Sequence, residues 1–408
     1  MSDELLIAGE LIVPGDRSVS LTHGWLKIVG GTIAEMGGGD APSTPDLGGD
    51  GYLISPGFID AHCHLPQFDS IGVDGLTLLD WLDRVIFPAE TRWEDADYAG
   101  AMTQRVCEQF ASFGTTGIAA YATVHHEAAK VAIDTIASWG FRAMVGQVLM
   151  DRNAIPELLR PAKQLLTEAA ALSELKPRGG RVEVSVNPRF AISCTEELLK
   201  GAGELAKRTN APIQTHLSEM IPEVEFIGEL FGGASYTEVY DRTGLLTPRS
   251  FMAHGVHLSK SELALLRKRD AVVAHCPVAN DFLMSGMMDR QERGAASVRM
   301  SLGSDVAGGV DRSMVRVARA MLETSKRMGH GAIGARECWW QMTAGNADVL
   351  GWPETGRLVP GADADVVVFK PDIPVDGDDE RRVARVLYAW DDRWLRATVA
   401  GGRVVYEV

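Results

Sequence analysis

Ile54-Ser55-Pro56-Gly57-Phe58-Ile59-Asp60 and, directly behind it, Ala61-His62-Cys63-His64 are the residues from which the fold can be read. Residues 54–60 make a short apolar run of strand length, and reactive side chains crowd its end. The pattern recurs along the middle of the chain. Short apolar runs occupy residues 116–122, 143–149, 182–187, 212–216, 251–254, 272–276 and 298–303, with long helical patterns between them. Strands alternating with helices predict a parallel sheet. With the first, the runs make eight, the number that closes a (β/α)8 barrel.

The segments between the runs carry helix signals. Leu198, Leu199, Ala202, Leu205 and Ala206 recur at helical spacing after Ser193-Cys194-Thr195-Glu196, a capping-box pattern, and Ser259-Lys260-Ser261-Glu262 repeats that start. Outside the middle the character changes. Residues 10–13, 25–29 and 32–35 read as short antiparallel strands, residues 37–51 as a loop without periodicity, and residues 366–369, 397–400 and 404–408 as strands, the last two joined by Gly401-Gly402. Two β-rich ends predict one small β-sandwich domain made from residues 1–55 and 356–408. The α/β barrel then spans residues 56–355.

Composition narrows the function. The 408 residues are 46% apolar and 23% charged, which describes a globular chain with a large core and excludes disorder. Forty Lys+Arg against 55 Asp+Glu leave a net charge of −15, and no basic cluster offers a phosphate backbone a landing site, so no nucleic-acid partner is expected. No apolar run approaches the roughly 18 residues of a bilayer span, and Met1-Ser2-Asp3-Glu4 lacks the basic start of a secretory signal; a cytoplasmic protein without a membrane partner is expected. The five cysteines are scattered and never form C-x-x-C, which points away from disulfides and thiolate metal sites.

In a parallel barrel the chemistry collects at the C-terminal ends of the strands. The chain has ten histidines, and five of them end these runs: His62, His64, His216, His254 and His275. H-x-H spacing puts His62 and His64 on one side of an extended segment, an arrangement that serves two solvated imidazoles as well as two metal ligands. His216 and Asp305 at other strand ends complete a set of three nitrogens and one carboxylate, which suits Zn²⁺ or Fe²⁺ with a position left open for water. Glu219, three residues after His216, is either the proton shuttle such a site needs or a surface residue starting the next helix. His254 either orients the reacting groups or is a buried, hydrogen-bonded histidine. His257 and the pair His125-His126 read as structural or rim residues, since no P-C-x-x-C follows to complete a cytidine-deaminase zinc motif.

Pro56-Gly57-Phe58-Ile59-Asp60-Ala61-His62-Cys63-His64, joined to His216, His254, Asp305 and the returning segment Thr355-Gly356-Arg357-Leu358-Val359-Pro360-Gly361-Ala362-Asp363, resembles the amidohydrolase superfamily. Within it, Pro66-Gln67, Leu79-Asp80-Trp81-Leu82, Phe87-Pro88-Ala89-Glu90, Pro188-Arg189-Phe190-Ala191, His275-Cys276-Pro277 and Gly303-Ser304-Asp305-Val306-Ala307-Gly308-Gly309 resemble the guanine deaminase family. The resemblance implies one Zn²⁺ per subunit, with Fe²⁺ as the alternative, on His62, His64, His216 and Asp305. It implies Glu219, His254 and Asp305 as catalytic residues, Gln67, Arg189 and Phe190 as the holders of the purine, and a homodimer. The implied reaction is hydrolysis at C2 of guanine to xanthine and ammonia, with Glu219 protonating a ring nitrogen.

The chain also departs from that family. Val278-Ala279-Asn280-Asp281 and Val310-Asp311-Arg312-Ser313 place charges on two loops near the expected mouth. If Asp281, Asp311 and Arg312 line the pocket, the substrate shifts to 8-oxoguanine, another oxopurine, a pterin or an s-triazine. A non-catalytic metal-binding scaffold is the remote alternative, and the presence of every ligand and of Glu219 speaks against it.

Overall fold

A computed structural model describes residues 4–329 and 333–408. Its N-terminal strands β1 (Glu4–Pro14), β2 (Val19–Val29) and β3 (Thr32–Gly38) are antiparallel neighbours, and β4 (Leu47–Pro56) returns parallel to β1. The middle of the chain then supplies β5 (Phe58–His64), β6 (Thr115–Tyr121), β7 (Arg142–Gly146), β8 (Val148–Leu149), β9 (Val182–Val184), β10 (Asn187–Pro188), β11 (Ile213–Leu217), β12 (Ser250–His254), β13 (Val272–His275) and β14 (Arg299–Leu302). The C-terminal strands β15 (Val366–Phe369), β16 (Leu395–Ala400) and β17 (Arg403–Glu407) join β4, so that both chain ends share one seven-stranded sheet in the order β17-β16-β15-β4-β1-β2-β3.

The middle strands form the eight-stranded barrel. β5-β6-β7-β9 and β11-β12-β13-β14 are parallel four-stranded sheets, and a parallel bridge between Val186 and Ile213 joins them on one side. On the other side the Asp305 N–H donates to the His62 carbonyl at 2.8 Å and the His64 N–H donates to the Val306 carbonyl at 3.1 Å. Ile59, Ala119, Met144, Phe251 and Val272, from five strands, meet with Trp352 in one buried cluster, as the inside of a closed ring allows.

Side-chain alternation places the small sheet against the barrel. On β15, Val366 and Val368 join Ile7, Leu11, Leu26 and Ile28 in the sheet's own core, whereas Val367 and Phe369 pack with Phe58, Trp339 and Trp390 on the barrel side. A period of two thus covers both faces with apolar contacts.

Three expected elements are divided differently. The run 54–60 is shared by β4 and β5, which part at Gly57. The runs 143–149 and 182–187 each break into a barrel strand and a short second strand, β8 pairing with β10 just beyond the barrel rim. The expected loop at 37–51 is shortened because β3 runs to Gly38 and β4 begins at Leu47. That start was invisible to an alternation reading because Gly48 sits there at φ +93°, with the Ala8 carbonyl so close that a Cβ would lie 2.0 Å from it.

Candidate active site

The site begins with an irregularity in β5. Its pairing with β6 shifts between Asp60 and Cys63, a bulge that lets both Ile59 and Ala61 join the barrel interior while His62 and His64 reach the site and Cys63 packs outward with Val106 and Ile118. Asp60 holds the bulge from within. Its buried carboxylate accepts from the backbone N–H groups of His62 and Ser304 at 3.2 and 2.9 Å and from the Ser304 hydroxyl, tying β5 to the end of β14. Gly303 permits the approach, since a Cβ there would lie 2.7 Å from the His62 Cβ.

His62, His64, His216 and Asp305 converge until one potential ligand atom from each lies within 4.8 Å of all the others. Asp305 Oδ1 is 3.2 Å from His62 Nε2 and 3.3 Å from His64 Nε2, and His64 Nε2 faces His216 Nε2 at 3.1 Å. The second ring nitrogen of His216 decides its tautomer: Nδ1 donates to the Arg189 carbonyl at 2.6 Å, so the Nε2 of the neutral ring carries a lone pair towards the cluster. Burial keeps the His64 and His216 rings neutral, lowering His64 to about 4 and His216 well below its usual value. Among the described residues, no hydrogen-bond partner meets the buried His62 Nε2. Converging lone pairs beside a carboxylate are costly alone and fit a divalent cation of the zinc or iron class. Tyr121 stacks on His64, centroids 4.6 Å apart, and fixes that ring.

Glu219 and His254 stand at the edge of the cluster. His254 Nδ1 donates to Asn280 Oδ1 at 3.0 Å, leaving Nε2 3.4 Å from Glu219 Oε2 and 3.9 Å from Asp305 Oδ2. Ser285 donates its hydroxyl to Glu219 Oε1 at 2.8 Å. The turn that carries Glu219 is held by Glu223, whose carboxylate accepts from the backbone N–H groups of Glu219 and Met220 at 2.7 and 3.2 Å. Burial first, and the nearby Asp305 charge second, raise Glu219 to about 8. Ser218, His254 and Asp305 all adopt positive φ, at 46°, 72° and 52°, a concentration of backbone strain at the strand ends that a functional site explains.

These groups open into a single cavity. Gln67, Arg189, Phe190, Glu219, His254 and Asp305 line it together with the apolar wall of Leu78, Trp81, Leu82 and Leu283. The apolar wall and the few convergent polar groups suit a small planar ligand. Gln67 comes from the 3-10 turn Leu65–Ser70 behind β5, and Arg189 and Phe190 directly follow β10.

The cavity gathers every candidate named in the sequence except His62, which lies just behind it in the cluster. The three charged loop residues do not join it, which corrects the expectation built on them. Asp281 is paired with Arg327 at 2.8 Å, Asp311 with Arg316 at 3.4 Å, and the Arg312 guanidinium lies 5.9 Å from the Phe68 ring. Each finds its partner outside the pocket. His275 is buried away from the cavity near Arg290 and Arg293, His257 donates to the Ser285 carbonyl at 2.7 Å, and His126 bonds Gln147. Sequence reasoning gave no role to Glu90, Asn280 or Ser285, which hold Arg189, His254 and Glu219. Glu90 lies within the family-like run Phe87-Pro88-Ala89-Glu90, whereas no local pattern marks Ser285. No helix among the described residues is long and apolar enough to cross a membrane.

Comparison with known proteins agrees with the geometry. The amidohydrolase family model matches residues 53–405. Guanine deaminase of Rattus norvegicus is 34% identical over 375 residues, covering 86% of this chain and 83% of the relative, and guanine deaminase of Escherichia coli (strain K12) is 31% identical over 370 residues, covering 88% and 84%. A guanine deaminase structure from C. acetobutylicum with bound guanine superposes with a TM-score of 0.92 at 27% identity, covering 99% of this chain and 100% of that one. A barrel whose strand ends supply the donor cluster, and matches that run through both the barrel and the terminal sheet, place this chain in the amidohydrolase family, among its guanine deaminases.

Proposed function

We propose that this protein hydrolyses the exocyclic amino group of guanine, releasing xanthine and ammonia, with one Zn²⁺ per subunit on His62, His64, His216 and Asp305. One observation carries the reading: the donor cluster, Glu219 and the Arg189–Gln67 edge meet at a single cavity. The kinship with guanine deaminases names the ring.

A divalent metal bound by that cluster supplies the Lewis acidity that makes water nucleophilic near neutral pH. The remaining work falls to the chain. Arg189 donates to the purine carbonyl oxygen, and Gln67 meets the neighbouring ring edge. Phe190 and the apolar wall exclude bulk water, which strengthens the polar contacts inside. Glu219 has Oε1 occupied by Ser285, so its proton resides on Oε2 and passes from there to a ring nitrogen. His254, locked by Asn280, keeps Nε2 turned towards Glu219 and Asp305 and stabilises charge that develops between them. Asp305 receives a proton from the attacking water and passes it to the departing amino group, which leaves as ammonia, while the new C2 hydroxyl returns a proton to Glu219 as it becomes the carbonyl.

The test is ammonia release with the accompanying ultraviolet change, run against guanine, 8-oxoguanine, pterin, ammeline, isocytosine and cytosine. Guanine should be converted and chelation should stop it; turnover of another ring alone would overturn the substrate while keeping the reaction. Arg189→Met should abolish guanine turnover with bound metal retained, and unchanged kinetics would remove Arg189 from the pocket. Metal analysis of the active protein decides zinc against iron. The family relationship also supports a cytoplasmic homodimer, whose assembly sedimentation would show as twice the chain mass.

A further inference from the structure

Glu90 is an acidic residue with 2% exposure, and neither of its carboxylate oxygens is free. Oε2 accepts from Arg189 NH1 at 2.6 Å, and Oε1 accepts from Gln67 Nε2 at 3.1 Å. The same short helix, Phe87–Thr91, also supplies Phe87, three residues before Glu90, whose ring centroid lies 5.4 Å from the Arg189 guanidinium. One face of one helix therefore grips Arg189 by charge and by ring and takes hold of Gln67 as well.

The grip has a chemical consequence. A carboxylate only accepts, so Gln67 must turn its NH₂ towards Glu90, which leaves Oε1 as the acceptor: it takes the Ala307 N–H at 3.4 Å and keeps a second lone pair for a ligand, in the same cavity that Arg189 lines as a donor. An acceptor next to a donor complements a lactam edge, where a ring N–H adjoins a carbonyl oxygen. It mismatches an amidine edge, where a bare ring nitrogen adjoins an amino group. We propose that Glu90 is the positioning residue that sets this polarity and thereby selects 6-oxopurines over their 6-amino counterparts. The inference rests on the assignment of Gln67 and Arg189 to the purine.

Glu90→Gln tests it, because the amide either donates or accepts and so releases Gln67 to flip. Kinetics are compared for guanine and 2,6-diaminopurine, alongside metal content and melting temperature, with Asp281→Asn as a control expected to behave as wild type. The wild type should favour guanine. The variant should raise KM for guanine by about 10- to 100-fold, the loss of one charge-assisted contact, with a smaller change in kcat, unchanged metal content and a reduced guanine preference. If it does not fold, Glu90→Asp takes its place, keeping the charge beside Arg189 while shortening the reach to Gln67: a reduced guanine preference supports the role and an unchanged one overturns it. A wild type that converts guanine, with a variant whose preference is unchanged, overturns the role of Glu90 alone. A wild type inert towards guanine overturns both the role and the function beneath it.

Discussion

Burial and a neighbouring carboxylate outweigh the single hydroxyl donor, which favours the charged form, and so keep the Glu219 proton in place at neutral pH. Replacing it with Gln preserves the shape and the Ser285 contact while removing the transferable proton. Glu219→Gln should therefore lower kcat by about 10²- to 10⁴-fold with metal content unchanged. Because the acid form does the work and its pKa stands at about 8, kcat/KM should fall as pH rises beyond that value. A profile still flat at more alkaline pH would mean that Glu219 is not the proton donor. At this scale the donor cluster was legible because histidines are scarce in the chain and end the apolar runs. The holding residues were not, since Glu90 is 99 positions from Arg189 and Ser285 is 66 from Glu219, separations that only the folded barrel removes.

Among the elements, the helix Lys260–Arg269 behaves as its sequence predicts. Ser259 accepts from the Glu262 N–H, and Glu262 returns a bond to the Ser259 N–H at 2.9 Å. Glu262 does more than cap, because its Oε1 also accepts from the buried Thr237 hydroxyl at 3.0 Å on the preceding helix. Ser259→Ala should cost about 1 kcal/mol of stability. Glu262→Ala should cost more, adding about 1–3 kcal/mol for the hydroxyl it strands. Urea unfolding of the two variants gives the comparison, and equal losses would show that the link between helices carries no weight. The start of Glu196–Thr209 was placed nearly as well, except that Thr195 accepts from Leu198 and is the cap in place of Ser193. Capping is local chemistry and can be read from a few residues. The break of β4 from β5 at Gly57 and the fracture of residues 143–149 and 182–187 are set by barrel curvature, which no local window contains.

For the molecule as a whole, the barrel's final seam and the donor cluster are the same place. β14 meets β5 through Asp305, His62, His64 and the Asp60–Ser304 contacts, so the last join of the ring is made by the site itself. Anything that binds the cluster in the folded chain alone must stabilise the fold, by about 4 kcal/mol at a thousandfold excess over Kd. Without metal the seam should show a distinct pH dependence. Glu219 and Glu223 are raised to about 8 and about 7, so from the unfolded value of about 4.3 upwards the native state holds protons that unfolded carboxylates have already lost, and stability falls as pH rises until each folded value is passed. The buried histidines act oppositely: His64, His216 and His275 are depressed, so their contribution is lost only as pH falls below the unfolded value of about 6.5. Stability of chelated protein should therefore peak below neutrality, at about pH 6 where the two trends cancel, which melting curves at half-unit pH steps would reveal. Metal should raise the curve and move its peak towards higher pH, because the ligands bind it deprotonated. Chelated protein that grows steadily more stable from pH 7 to 8 would show that the two glutamates are ionised in the fold, and the proton assigned to Glu219 would then have to come from elsewhere.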